Sequence, residues 1–267
     1  MNKYLRNFFI ASKIEPLVRL GYKDLRKKFH ARHHAFQAET KAQLFPDSTP
    51  KILSGPFTGQ SYLDEIIWGS ITPRWVGSYE HELWGVLEEI IQTPYKTVID
   101  VGCAEGYYAT GLASKLPEAN IFAYDLDPFS RDQCTRLREL NKCTSNLEIL
   151  PWCDHAEVKK RTSGKTLLVI DIEGGEMDFL DPAAEGTLKS LDILVEIHRT
   201  GDDVLTNTKT LQGRFEKSHE ITLIHSEKDH EPANYNLPEG FDSDPKLFHE
   251  GRAYEQTWLW MKTRQAS

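Results

Sequence analysis

Cysteine is scarce in this sequence, with four residues among 267 and none of them in a C-x-x-C motif. This spacing excludes the common zinc frameworks and a disulfide scaffold, and it predicts reduced thiols. Long apolar runs are absent as well, because no stretch approaches the roughly 18 residues of a membrane span. The first residues also lack the extended apolar region and the small-residue cleavage site of a signal peptide. We therefore expect a cytoplasmic protein.

Positive charge is scarce outside the first 41 residues. Residues 1–41 hold ten Lys or Arg and three acids, whereas the remainder holds 22 bases and 37 acids. An acidic body argues against a broad nucleic-acid surface. The basic segment has helical spacing over residues 1–45. It is open to three interpretations: a helix packed on the body or on a second subunit, a peripheral membrane helix, or an arm that binds a partner.

The stretch Thr97–Ala113 organises the rest of the chain. Its apolar, β-branched start predicts a buried parallel strand that ends near Asp100, followed by a tight turn and a helix. Gly102 and Gly106 bracket the turn, where glycine allows a sharp bend and close approach of a ligand. Ala104 replaces the middle glycine of a dinucleotide fingerprint. A strand-to-helix turn without a ligand is the alternative.

An acid follows the second predicted strand, Asn120–Tyr124. Asp125 lies about 20 residues beyond the glycine turn, where a carboxylate typically hydrogen-bonds a ribose diol. Asp127 is the alternate candidate for that role. A carboxylate that only caps the next helix is the alternative interpretation.

The third predicted strand, Leu147–Leu150, leads into Trp152 and Cys153. In a doubly wound sheet this strand end lies near the base of a bound nucleoside. We therefore assign both residues to the cofactor-binding side. Trp152 either stacks on the base or covers the edge of the sheet.

The predicted strands Thr166–Ile170 and Ile193–Val195 each end in ionisable residues spaced two apart. Alternate residues of extended chain point to one side, so neighbouring strand ends would bring these groups into one cleft. The set can serve as a general base or can hold Mg²⁺ or Mn²⁺. Ion pairs with Arg199 and with helix termini are the alternative. The residues are Asp171, Glu173, Glu196 and His198.

The remaining chain divides into an N-terminal extension and a main domain. We predict a helical and irregular extension over residues 1–77 and a domain over 78–267, which begins with a helix capped by Ser78. A sixth strand, Glu220–His225, precedes a lid-like loop over 226–256. A last strand, Gln256–Met261, should pair antiparallel with the sixth. Candidates to line the cleft from the loop are His230, Tyr235, His249 and Arg252.

The motifs VIDVGCAEG, FAYDLDP, LLVIDIEGGE and LVEIH occur in this order, and the chain resembles the class I S-adenosylmethionine-dependent methyltransferases. Within them it resembles the FkbM-type group, whose mark is a D-x-E-G-x-E run. The resemblance implies an α/β, Rossmann-like, doubly wound, mostly parallel seven-stranded sheet with an antiparallel last strand. It implies S-adenosyl-L-methionine as cofactor and methylation of a small-molecule or saccharide hydroxyl. It places Asp100, Gly102 and Gly106 on the methionine side and Asp125 at the ribose, and we add Ala104 to this cofactor set.

Methyl transfer to a hydroxyl also needs a proton acceptor or a metal ion. We predict His198 as the base, with Asp171 orienting it or holding a metal ion together with Glu173 and Glu196. Glu196 completes the predicted catalytic set. No N-P-P-[YFW] motif for amino-group methylation occurs. An NAD-dependent or nucleotide-sugar enzyme and a catalytically silent nucleoside-binding scaffold remain as alternatives.

Overall fold

The computed structural model describes residues 35–199, 203–226, 230–241, 244–252 and 255–264. Most of the basic segment 1–41 therefore lies outside the described residues, and the interpretations of it stay predictions. Residues 35–44 are helical (α1). No helix in the described part of the chain is long and apolar enough to cross a membrane.

The described residues form a seven-stranded sheet in the order β3-β2-β1-β4-β5-β7-β6. The first five strands pair in parallel, whereas β7 pairs antiparallel with both β5 and β6. This confirms the predicted doubly wound α/β sheet and the antiparallel last strand. The strands are β1 (Thr97–Val101), β2 (Asn120–Tyr124), β3 (Leu147–Leu150), β4 (Thr166–Ile170), β5 (Asp192–Glu196), β6 (His219–His225) and β7 (Thr257–Thr263).

Helices connect the parallel strands and cover the sheet. They are α2 (Thr72–Val76), α3 (Trp84–Gln92), α4 (Tyr107–Lys115), α5 (Pro128–Leu140), α6 (His155–Arg161), α7 (Glu176–Phe179) and α8 (Val204–Phe215). Short 3₁₀ turns lie at His81–Leu83, Gly186–Ser190, Pro232–Asn234 and Pro245–Phe248.

Apolar side chains bury both faces of the sheet. In β1, Val98 belongs to one core cluster and its neighbour Ile99 to another, because successive residues of a strand point to opposite faces. β4 alternates in the same way, with Leu167 and Leu168 in different clusters. Burial on both faces explains why these strands read as continuous apolar runs.

The segment that precedes α3 is part of the core. Its buried residues pack in the same cluster as Val98 and Leu167, so the two sides of residue 77 share one core. The boundary drawn there stays a prediction. The buried residues are Ile52, Phe57, Tyr62, Leu63, Ile71 and Trp75.

The prediction that Ser78 caps a helix is wrong. The helix begins at Trp84, after a 3₁₀ turn that follows Glu80, whose φ of +50° lies in the left-handed region. The backbone N–H of Glu80 donates to Glu250, and its carboxylate accepts from Arg252 at 2.5 Å. A segment about 170 residues away therefore contacts the turn that precedes this helix.

Candidate active site

A cavity of about 1350 Å³ opens at the carboxyl ends of β1, β2, β4 and β5. This is where ligands bind in open α/β sheets. Most of the predicted site residues line it: Gly102, Ala104, Asp125, Trp152, Cys153, Asp171, Glu173, Glu196 and His198. Asp100 and Gly106 lie outside the lining. The lining also includes Trp68, Arg74 and Tyr79 from the segment before α3, which the sequence did not indicate.

The glycine turn is shaped by its neighbours in the fold. Gly102 has a φ of +90°, and a Cβ there would lie 1.6 Å from the carbonyl oxygen of Asp171 at the end of β4. Gly106 has a φ of +94°, and its Cβ would lie 2.6 Å from the Cys134 sulfur on α5. Both positions therefore require glycine for backbone conformation and for close packing.

Asp125 holds the turn and faces the cavity. Its Oδ2 accepts from the Ala104 N–H at 2.9 Å, and its Oδ1 accepts from the Asp127 N–H at 2.7 Å. Each oxygen has a second lone pair, so both remain able to accept a hydrogen bond from a ligand. Burial raises the pKa of this carboxyl to about 6, against the hydrogen bonds from Asp127 and Ala104 that lower it.

The carboxylate of Asp127 caps the next helix, α5. Its Oδ1 accepts from the Phe129 N–H and caps α5, and its Oδ2 accepts from the Trp68 indole N–H at 3.2 Å. These contacts give Asp127 a structural task, and they place the indole of Trp68 beside the turn.

Asp100 lies beneath the cavity and is 2% exposed. Within the described part of the chain its Oδ2 has no hydrogen-bond partner. Burial, followed by the charges of Asp171 and Asp125, raises the pKa of this carboxyl to about 8. Asp100 is therefore mostly protonated at neutral pH.

The acids after β4 and β5 surround one imidazole. The Nε2 of His198 lies 3.8 Å from Asp171, 3.5 Å from Glu173 and 3.6 Å from Glu196. Ligand atoms of Asp171, Glu196 and His198 all lie within 4.8 Å of one another. Glu196 is 3% exposed, whereas the side chain of Glu173 is 87% exposed. The candidate metal ligands that lie close together are thus Asp171, Glu196 and His198. The predicted metal set had Glu173 in place of His198.

Glu176 fixes the other side of the imidazole. Its Oε1 accepts from His198 Nδ1 at 2.9 Å, from the Gly174 N–H at 3.0 Å and from the Ile172 N–H at 3.3 Å. The loop reaches this shape through positive φ angles at Glu173 and Gly174. Asp171, predicted to orient His198, lies on the Nε2 side instead. The sequence signal for Glu176 was the last acid of the D-x-E-G-x-E run.

The ionisable groups in this cluster shift one another's pKa values. Burial lowers the pKa of His198, but the hydrogen bond to Glu176 and the nearby carboxylates outweigh it and raise the pKa to about 9. Burial and the neighbouring acids raise the pKa of Glu196 to about 8 and that of Asp171 to about 6. The pKa of Glu176 is lowered, because hydrogen bonds from His198 and Gly174 outweigh burial.

The segment before β7 forms one wall of the cavity. Arg252 pairs with Glu80 and Glu250, and its guanidinium lies 5.4 Å from the ring centroid of Tyr79. Of the four loop residues predicted to line the cleft, Arg252 does so. His230 and Tyr235 pack instead with His81 and Phe248, and His249 is exposed and outside the lining.

A comparison with protein-family models finds no match, and neither does a comparison with curated proteins. Solved structures with a similar fold include a human methyltransferase 10 domain-containing protein, at 13% identity and a TM-score of 0.47, covering 86% of this chain and 97% of that one. The N-terminal domain of human METTL16 in complex with SAH is 14% identical at a TM-score of 0.43, covering 76% and 75%. The complex of aTrm5 and tRNALeu is 13% identical at 0.39, covering 69% and 46%.

At these identities and TM-scores the similarities carry no argument about the cofactor or the acceptor of this chain. The expectation that nucleic acid is an unlikely partner stays a prediction.

Proposed function

We propose that this chain is an S-adenosylmethionine-dependent methyltransferase of the FkbM type that methylates a hydroxyl of a small-molecule or saccharide acceptor. One observation carries the proposal: Asp125 and the cluster around His198 line the same cavity. Its volume of about 1350 Å³ exceeds the range of about 300–1,000 Å³ that is usual for one ligand. It therefore has room for a nucleoside cofactor and an acceptor together.

The residues at one end of the cavity fit a nucleoside. Asp125 offers a free lone pair on each oxygen, which matches the two hydroxyls of a ribose. Leu126, Trp152 and Phe179 add apolar surface to the same lining. Trp152 and Cys153 follow β3 and lie near the expected position of the base.

The residues at the other end fit a hydroxyl acceptor. When bound, S-adenosylmethionine supplies a methyl group that is already activated. The chain has to hold the acceptor oxygen in line with it, and orientation of this kind supplies much of the rate enhancement. Asp171, Glu196 and His198 present two carboxylates and one ring nitrogen toward the cavity. Asp171, with a pKa of about 6, can accept the hydrogen bond of a hydroxyl and take up its proton at neutral pH, whereas His198, with a pKa of about 9, can do so only at higher pH.

The charge of the lining favours a neutral acceptor. Eight carboxylates and three Arg belong to the described lining residues. Two of the three Arg already contact acids, since Arg74 pairs with Glu105 and Arg252 with Glu80. A phosphate-rich acceptor would be repelled by this surface, whereas a polyhydroxylated one can donate to the carboxylates.

Calorimetric titration with S-adenosylmethionine, S-adenosylhomocysteine and NAD tests the cofactor. We expect the first two to bind and NAD to remain unbound. Asp125→Asn should weaken binding about 10- to 100-fold, because charge-assisted hydrogen bonds become neutral ones. Asp132→Asn is the matched control, since it removes an exposed carboxylate of α5 that lies outside the cavity lining.

The alternatives predict other outcomes of the same titration. Binding of NAD alone would favour an oxidoreductase, which the antiparallel β7 and Ala104 argue against. If none of the three compounds binds, the methyltransferase proposal is refuted and a catalytically silent scaffold is favoured. Once binding is established, release of S-adenosylhomocysteine with a panel of sugars and phenols identifies the acceptor class.

A further inference from the structure

The cluster around His198 carries more negative charge than its single imidazole can balance. Asp171, Glu173, Glu176 and Glu196 lie within 4 Å of the ring. In the described part of the chain no Lys or Arg forms an ion pair with Asp171 or Glu196, and Arg252 acts on them only from beyond ion-pair distance. Buried carboxylates without a counter-charge are costly, and they are usually paired or coordinate a metal ion.

One of these carboxylates also has a buried oxygen without a hydrogen-bond donor. The Oδ1 of Asp171 is fully buried and has no hydrogen-bond partner among the described residues. Glu196 is 3% exposed, lines the cavity, and lies 3.6 Å from His198 Nε2. The unpartnered oxygen of Asp171 therefore points to a ligand that accepts its lone pair, and the nearby carboxylate of Glu196 can contribute to the same ligand.

The spacing of the donor atoms fits one divalent ion. For bonds of about 2.1 Å, adjacent ligands of an octahedral ion lie about 3.0 Å apart and opposite ones about 4.2 Å. His198 Nε2 lies 3.8 Å from Asp171 Oδ1 and 3.6 Å from Glu196 Oε1, between these limits. The oxygens of Asp171 and Glu196 lie within 4.8 Å of each other, so a shift of up to about 0.6 Å would bring them to the spacing of opposite ligands.

Glu176 prepares the imidazole for this role. Because His198 Nδ1 donates to Glu176, the proton that the ring can lose is the one on Nε2, and a metal ion that displaces this proton meets the lone pair on the side of Asp171 and Glu196. A carboxylate behind a metal-binding His is the usual arrangement in metal sites, since it fixes the tautomer and the ring orientation. Glu176 in turn is held by two backbone N–H groups of its own loop.

We propose that Asp171, Glu196 and His198 bind a divalent cation, with Mn²⁺ as the best fit. Carboxylates suit Mg²⁺, Ca²⁺ and Mn²⁺, whereas imidazole suits the first-row transition metals, and Mn²⁺ satisfies both preferences. Three protein ligands leave coordination positions that face the cavity, where an acceptor hydroxyl can bind. This site stands on its own contacts and does not depend on which nucleoside occupies the Asp125 end.

Manganese titration of the full chain, after removal of metals with a chelator and without any cofactor, tests the site. Electron paramagnetic resonance measures free Mn²⁺, and we expect one equivalent to bind. Asp171→Asn and Glu196→Gln should each weaken binding at least 30-fold, while melting curves confirm that both variants fold. Glu255→Gln is the control, because Glu255 is another carboxylate of the same cavity outside the cluster.

The electron spin of bound Mn²⁺ also shows whether a nitrogen atom coordinates the ion. Electron spin-echo modulation from an imidazole nitrogen should appear with bound Mn²⁺ and disappear in His198→Gln. Lack of stoichiometric binding at millimolar Mn²⁺, or binding that Asp171→Asn and Glu196→Gln leave unchanged, would overturn the proposal. Bound Mn²⁺ without nitrogen modulation would overturn the ligand set. Each of these results is independent of whether S-adenosylmethionine binds.

Discussion

Replacement of Asp100 by Asn should change how the stability of the fold depends on pH. Asp100 is 2% exposed, and burial raises its pKa from 3.8 to about 8. Asn has the same shape and never ionises, so it removes the cost of keeping this acid in the core. Because the Oδ2 of Asp100 has no hydrogen-bond partner in the described structure, the amide N–H groups of Asn add a cost there, but this cost does not depend on pH.

The sign follows from proton linkage. Below pH 4 the carboxyl is protonated in both the folded and the unfolded chain and contributes no difference. Between pH 4 and 8 the unfolded chain releases the proton while the folded chain keeps it, so the free energy of unfolding falls as pH rises. The slope is about 1.4 kcal/mol per pH unit, which gives about 4 kcal/mol by pH 7. Above pH 8 the loss levels off.

Urea denaturation of wild type and Asp100→Asn at half-unit steps from pH 5 to 8.5 measures this effect. The variant should gain about 3.6 kcal/mol relative to wild type between pH 5 and pH 8. Asp132→Asn, on the exposed side of α5, is the matched control. A difference between Asp100→Asn and wild type that stays constant over the series would refute the reasoning.

Three further perturbations follow from contacts of single residues. Gly102→Ala places a Cβ on the backbone oxygen of Asp171, so its melting temperature should fall by many degrees or the variant should fail to fold; a wild-type melting curve would contradict this. Because burial raises the pKa of Asp125 to about 6, affinity for S-adenosylmethionine should fall at pH 5 relative to pH 7.5 in calorimetry, and a flat profile would count against its role. Glu105→Gln leaves the buried Arg74 without its carboxylate and should cost about 3–5 kcal/mol in urea denaturation; a cost under about 1 kcal/mol would mean that the pair is screened.

Sequence periodicity was sufficient to place the sheet and its ligand-binding edge. Runs such as TLLVI are buried on both faces, and β4 has the predicted bounds Thr166–Ile170. Because parallel strands end at one edge, residues that follow different strands were predicted to meet. Asp125, Asp171 and His198 line one cavity for this reason.

Contacts between segments that are distant in the chain could not be predicted from the sequence. The start of α3 depends on Glu80, whose left-handed backbone is held by Glu250 and Arg252. The sequence around Ser78 contains no signal for a hydrogen bond to a residue about 170 positions away. The role of Glu176 was also missed, because its hydrogen bond to His198 appears only when the ends of β4 and β5 lie side by side.

The position of β7 in the sheet imposes an order of assembly on the nascent chain. β6 is made first but pairs with β7, which lies between it and β5. Until β7 emerges, β6 has no neighbour in the sheet, and the apolar run Ile193–Val195 of β5 is an unpaired edge. Such an edge can recruit strands of other chains. A chain whose synthesis or refolding stalls after β6 and before β7 therefore exposes an aggregation-prone edge at β5. Pairing of β7 with β5 removes this edge.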